Sequence, residues 1–534
     1  MERWKPVVGQ SAREKRLLKL AGKSRKLFVF LREHRHELFD DAFQDELEAM
    51  YRQTGQGQAP QPPAMMCMAL LVQAYTQASD AEAVCLSGTD SRWRMVLDRL
   101  DADEDEPAFS QGGLQQFRER LIATDMDRRL LERTVEVAKR TKGFDPKKTP
   151  KTLRVGVDSR PLEGAGRVED TINLLGHAAR KVAEGMALSL GTDVEEVCQQ
   201  ADVPLLMASS IKAGLDIDWS APDAKVEALN RLCRQLDRLM AWVSKQSALC
   251  VDAPLTRYID ALAQVREQDL EPHQDGGVQI RQGVAADRRI SIEDPDMRHG
   301  RKSKSKRFNG YKQHVSTDLD SELVLACTVT PANRPEEEAT AALQEDMAHQ
   351  ELFPDVLFID RAYVNSAMTH DVLASGGDVV CRPWRGAGAK PGLFGKRDFR
   401  VNVRDGTITC PAGEVEPFEP GAVVHFDPEA CGPCELRSSC TLAATGKGRS
   451  VTMRDDERLQ KRLRSGLQSR AGRAELRERV GVEHRLAHLA NRQGPKARYR
   501  GTRRNVFDLR RLAVIQNLEV GARFQRERVV LRAA

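Results

Sequence analysis

Two aspartates stand where apolar runs end. Leu153 to Arg160 reads LRVGVDSR, in which Val155 and Val157 alternate with small or polar neighbours, the pattern of a short buried strand. The run reaches Asp158 and continues into Ser159, Arg160 and Pro161, which predicts that the strand opens into a loop at the carboxylate. Asp355 to Arg361, DVLFIDR, has the same construction, a continuous apolar run ending in Asp360 before Arg361, Ala362 and Tyr363. In open α/β sheets chemistry gathers at the carboxyl ends of strands. Two strands that each deliver a carboxylate therefore predict a shared acidic site. The plainer reading is that both aspartates start loops or cap helices.

Other residue types could do different chemistry. Cys410, then Cys431, Cys434 and Cys440, lie in a segment between Trp384 and Ser450 that is rich in Gly, Pro and Thr. Such a set could close a tetrahedral four-thiolate zinc site, stay as reduced thiols, or do redox chemistry. The other seven cysteines (Cys67, Cys85, Cys198, Cys233, Cys250, Cys327 and Cys381) stand singly in apolar or helical contexts, where cysteine acts as a small hydrophobe. This usage fits a reducing, cytoplasmic compartment. Arg479 and Glu483 are four apart and share a helix face, where a solvated ion pair is the plain reading. The loop around Gly164 and Gly166 fits neither a Walker nor a dinucleotide spacing. His177 and His314 could line a site, although packed or hydrogen-bonded histidines are commoner.

Charge bounds the partners. The 534 residues carry 83 Lys+Arg against 78 Asp+Glu, a net +5, so any nucleic-acid surface must come from clustering. Arg298 to Arg307 has six Lys/Arg in ten residues, and Lys496 to Arg511 has seven, interleaved with Tyr499 and Phe507. The sequence contains no run of 18 apolar residues, and its start lacks the apolar stretch of a signal peptide, which predicts a protein without a membrane span.

These residues need elements to hold them. Residues 1 to about 145 read as all-helical, with helices near Ala42–Tyr51, Pro63–Ala78 and Leu114–Thr141, the last interrupted near Asp125. Thr141–Lys151 reads as a linker. Helical patterning returns at about 180 to 270, clearest in Lys225–Ser247. Strand signals follow at Arg289–Ile292, and Tyr311–Val329 reads as an antiparallel hairpin. A helix at Glu336–Gln350, the Asp360 strand, a helix near Ser366–Ala374 and a strand at Asp378–Cys381 complete an α/β order with a mixed sheet. Arg454–Arg492 reads as one or two charged helices.

Taken together, VGVDSRPLEGAGRVEDT, DPDMRHGRKSKSKRFNGYKQH, FIDRAYVNS and RVGVEHRLAHL followed by ARYRGTRRNVFDLRR resemble the motifs of DDE transposases of bacterial insertion sequences. The branch resembled has an N-terminal helical region and a Cys-rich insertion. Ala362 stands where that family usually has Gly, Leu476 where it has Tyr, and Ala490 where it has Lys. The resemblance implies a ribonuclease H-like core at residues 146–180, 278–390 and 451–534. A helical insertion would occupy 181–277, a Cys-rich insertion 391–450, and a helical domain for DNA-end binding or dimerisation 1–145. It implies Asp158, Asp360 and Glu483 as catalytic ligands of two Mg2+ ions, with Mn2+ as a substitute. Structural Zn2+ at the four clustered cysteines is a further expectation.

DNA contacts are expected from Arg298, Arg301, Lys302, Lys304, Lys306, Arg307 and Lys312, with Tyr311 beside them. Arg361, Arg479, Arg498, Arg500, Arg503 and Arg504 are expected to add to these. The expected partners are double-stranded DNA, as terminal inverted repeats and target, and a second copy of the chain. The alternatives are a related nuclease without strand transfer and a zinc-containing DNA-binding regulator derived from a transposase.

Overall fold

The computed structural model describes residues 2–24, 26–51, 59–103, 105–140, 152–246, 253–274, 276–384, 391–444 and 446–533. The expected linker at 141–151 and Cys250 lie outside the described residues. The chain forms two compact units. The first comprises Met1–Lys151, Asp158–Leu352 and His484–Ala534, and the second Thr152–Val157 and Phe353–Glu483.

The first unit is built around a helix with no polar face. In the helix Pro63–Thr76 every residue from Pro63 to Ala74 is buried, as a helix apolar all round must be. The predicted interruption is real. Helices Gln111–Ala123 and Met126–Arg140 are separated at Asp125, which adopts φ 56°, a left-handed conformation that aspartate tolerates. The long helix Thr502–Ala533 packs against Pro63–Thr76 and Met126–Arg140, joining the two ends of the chain. A second core, including Leu175, Val182, Leu232, Leu236, Leu239 and Leu262, is shared by helices Thr171–Leu190, Pro222–Lys245 and Ala253–Asp269.

Strand β1 (Arg154–Glu163) enters this unit at Asp158. Strands β2 (Leu270–Pro272) and β3 (Val278–Ile280) form a small antiparallel pair. In the sheet, β4 (Arg298–Arg301) pairs antiparallel with β5 (Arg307–Asp318), and β5 with β6 (Val324–Pro331). β5 also neighbours β1. At Gly310 (φ 152°) a side chain would collide with the backbone of Leu162 and Gly164, so the approach of these two strands requires glycine.

Two expectations are corrected. β1 does not open into a loop at Asp158 but runs five residues further, to Glu163, so the carboxylate is mid-strand. Glu163 N–H donates to Pro495 O (3.0 Å) and Glu163 O accepts from Ala497 N–H (2.7 Å), which extends the strand past Pro161. Residues 289–292 are not a strand, although Ile290 and Ile292 are fully buried. The Arg289 guanidinium donates to Ser291 O (3.0 Å) and Ile292 O (2.8 Å), curling the segment on itself.

In the second unit the first residues of β1 pair in parallel with β7 (Val356–Phe358), and β7 with β8 (Asp378–Val380). Helix Ala367–Ala374, capped by Ser366, makes the crossover between β7 and β8. Strands β9 (Arg400–Asn402), β10 (Thr407–Thr409) and β11 (Val415–Pro417) form an antiparallel sheet. β12 (Val423–His425) pairs with β13 (Ser450–Thr452). Helices Glu457–Gln468 and Arg470–Glu478 follow, and Val480–Gln493 begins in this unit.

Candidate active site and basic surfaces

Each aspartate is held by its own backbone. Ser159 N–H donates to Asp158 Oδ1 at 2.8 Å, and Arg361 N–H donates to Asp360 Oδ1. Asp360 is therefore also the cap of a single 3-10 turn, Arg361–Tyr363, so for this residue the plainer sequence reading holds as well. The two residues share an offset. β1 and β7 pair in the register Gly156↔Phe358, and the aspartates stand two residues beyond those positions.

Within the second unit, buried Cys381, just past β8, lies within electrostatic reach of both Asp360 and Arg479. Burial pushes its thiol up to about 12; the Asp360 charge adds to that, and Arg361 and Arg479 oppose it. Arg479 stands between helices Arg470–Glu478 and Val480–Gln493, and its guanidinium meets the carboxylate of Glu483 one turn on. Arg361 Nε donates to Pro383 O at 2.7 Å, bracing the Asp360 turn. Among the described residues no group of three or more His, Cys, Asp or Glu side chains stands at metal-binding spacing, the acidic residues and the cysteines included.

Sequence reasoning missed two features. Burial lowers the Arg160 guanidinium to about 10, and it donates to Gln493 Oε1 and Gly494 O, both at 3.1 Å. Its position two residues after Asp158 was the only signal. In the second unit a cavity of about 910 Å³ is lined by Asn365, His370, Arg454, Arg458 and Arg462 among others. Its walls come from segments 80 residues apart in sequence, so no local pattern marks it.

Both histidines prove to be bonded. His177 Nδ1 is 2.8 Å from Glu169 Oε2 and its Nε2 3.3 Å from Glu293 Oε1, which raises its pKa. His314 is fully buried beside Thr330 Oγ1 (2.9 Å), and desolvation lowers it to about 3.

The basic residues divide sharply. Arg301, Lys302, Lys304, Lys306 and Arg307, at the tip joining β4 to β5, are all exposed. Arg298, in the same motif, is buried, with its guanidinium on Asp287 (2.9 Å) and Met297 O (3.0 Å). Tyr311 is buried with its hydroxyl donating to Asp294. Lys312 Nζ donates to Arg334 O at 2.7 Å, and burial lowers its pKa. In the C-terminal stretch Arg498 reaches Ala78 O (2.7 Å), Arg500 reaches Glu293 (2.8 Å), Arg503 reaches Asp127 (2.9 Å) and Arg504 reaches Glu119 (3.1 Å).

The four clustered cysteines line one cavity of about 500 Å³ in the second unit, together with Arg437 and Arg449.

Comparison with known proteins adds two matches. The family model described as transposase DDE domain matches residues 279–518, a span that includes Asp360 and Glu483 and begins after Asp158. A second, described as transposase domain (DUF772), matches residues 23–120, in the N-terminal helices. No curated protein and no solved structure matches the chain.

Proposed function

We propose that the chain is a DDE transposase, as its matches to the transposase DDE domain and the transposase domain (DUF772) support, and that it cuts DNA at the ends of an insertion sequence and joins the freed 3′-hydroxyl ends to target DNA, with Asp158, Asp360 and Glu483 as its acidic triad. The observation that carries this reading is the parallel register of β1 and β7, with an aspartate two residues beyond each partner of the Gly156–Phe358 pair, Asp158 within β1 and Asp360 just past β7. Equal offsets on neighbouring strands suit a shared site. The family also implies a ribonuclease H-like core, consistent with the mixed α/β architecture.

Phosphodiester cleavage and strand transfer are in-line displacements at a charged phosphorus. Three carboxylates are a hard oxygen donor set, which fits Mg2+, or Mn2+ in its place. Asp158, Asp360 and Glu483 would hold two such ions, which when bound supply Lewis-acid stabilisation of the attacking and leaving oxygens. The protein's own part is orientation. The N–H groups of Ser159 and Arg361 set the rotation of the two aspartates. Arg479 is a positioning residue that holds Glu483.

DNA binding follows from the family. Its phosphate contacts are assigned here to the exposed tip, Arg301, Lys302, Lys304, Lys306 and Arg307, because these cations face solvent. Cutting both ends of an element suits a dimer on DNA, acting in a bacterial cytoplasm. Among the described residues no helix is long and apolar enough to cross a membrane.

The test is Mg2+-dependent cleavage and joining of a plasmid that carries the element's ends, comparing wild type with Asp158→Ala, Asp360→Ala and Glu483→Ala. Loss of both activities in all three, with DNA binding retained, is the expected result. Cleavage surviving in any one would remove that residue from the triad. A wild type that binds these ends and never cuts would overturn the reading in favour of a DNA-binding regulator.

A further inference from the structure

The thiol cavity of the second unit is independent of the acidic triad. Its cysteines come from separate turns. Cys410 follows β10, Cys431 ends the helical turn Pro428–Cys431, Cys434 lies in the next loop, and Cys440 ends the helical turn Arg437–Cys440. All four line the same space. We propose that this cavity is a structural tetrathiolate Zn2+ site that holds the β9–β13 segment together.

The core of this segment is small. The segment's fully packed apolar residues are Phe399, Ile408, Val424, Phe426, Val451 and Met453, with Cys410, Cys431 and Cys440 against them. Six buried side chains are few for a lobe of this length, and small lobes of that kind are usually stapled by metal or disulfides. Zinc binding supplies folding free energy where the core does not.

Tight turns hold the backbone beside the thiols. Cys410 N–H donates to Glu414 O (2.8 Å) and Gly413 N–H to Cys410 O (3.0 Å), closing a tight Cys-Pro-Ala-Gly turn. Cys431 N–H donates to Asp427 O and Arg437 N–H to Cys434 O, each at 3.0 Å. The backbone at three of the four thiols is thus fixed by its own turn. In the described arrangement the sulfurs stand wider than coordination spacing, so binding would require the four turns to close on the cavity they share.

The charge around the cavity suits thiolates. Each thiol gives up its proton on binding, so four thiolates around Zn2+ carry a net −2. Arg437 and Arg449 line the same cavity and offset it. Arg437 is held there by carbonyls, including Cys431 O at 3.2 Å, so it braces the cavity wall as well.

The experiment uses the full chain purified without chelator. Elemental analysis should find about one Zn2+ per chain, and thiol titration should find four cysteines protected until a chelator releases the metal. The control Cys85→Ser, at an exposed cysteine outside the cavity, should keep the ion. Asp360→Ala should keep it too, which separates this site from the triad. Cys434→Ser should lose it. If that variant does not fold, Co2+ loading of the wild type replaces it as the test, since a tetrathiolate site gives intense sulfur-to-cobalt charge-transfer bands that Zn2+ abolishes. A wild type without zinc that develops no such bands, its four thiols freely reactive or joined as disulfides, would overturn the proposal.

Discussion

At the β4–β5 tip, five cations face solvent, and no ion pair among the described residues holds them. In the stretch from Arg498 to Arg511, by contrast, the guanidinium groups find partners inside the same unit, many of them in the N-terminal helices. Arg510 meets Asp125 (2.6 Å), Asp127 (3.2 Å) and Asp346 (3.0 Å), and Arg511 meets Gln73 at 2.9 Å. Both stretches are rich in positive charge, with six Lys/Arg in ten residues at Arg298–Arg307 and seven in sixteen at Lys496–Arg511. What separates them is whether the fold supplies carboxylates and carbonyls within reach. The first can neutralise phosphate, while the second fastens the long C-terminal helix to the helices at the start of the chain. Charge counts alone do not identify a nucleic-acid surface.

The contrast breaks most visibly at Arg510. Its side chain is 8% exposed, and removing it leaves carboxylates buried without their cation. Arg510→Ala should therefore cost about 3–5 kcal/mol of stability in urea denaturation; a loss below about 1 kcal/mol would mean that the C-terminal cluster does not fasten the unit. Replacing all five tip cations with alanine should leave the melting temperature unchanged. It should lower the slope of log affinity against log salt by about 4 to 5, at about 0.9 per phosphate contact. An unchanged slope would move the DNA surface elsewhere.

Two smaller effects sharpen the distinction. Arg504 and Glu119 are half-exposed, so Arg504→Ala should change stability by less than about 1 kcal/mol, and a larger loss would show that even the rim of the stretch carries load. His177 shares Glu293 with Lys181 and Arg500, and its bond to Glu169 is the main reason its pKa stands above 6.5. A raised folded value means that the His177 contribution is complete below the unfolded pKa and fades as pH rises through the folded one. His177→Gln should flatten that decline in stability above pH 6.5, as read by denaturation at a series of pH values. A wild type that gains stability over the same range would contradict the assignment.

Much of the fold is legible in the sequence because its signals are local. The β5–β6 hairpin shows as two apolar runs around Asp318–Ser321, and the helix break shows at Asp125. The strand before Asp360 is legible because it is short, continuous and apolar. Misreadings arise where distant residues decide. β1 outruns Pro161 because residues 495–497 extend its edge, more than 300 positions away. The role of Arg510 depends on Asp125, 385 residues earlier in the chain. Nothing in the spacing of either residue records these meetings.

The most direct test of the triad is a change of ligand softness at one corner. In Asp360→Cys the hard carboxylate becomes a thiolate, a poor ligand for Mg2+ that a softer transition ion accepts more readily. This variant should bind element-end DNA, fail to cut it in Mg2+, and recover part of the cleavage in Mn2+. Cleavage in Mg2+ at the wild-type rate would contradict the triad, because Asp360 would then have no part in holding the ion.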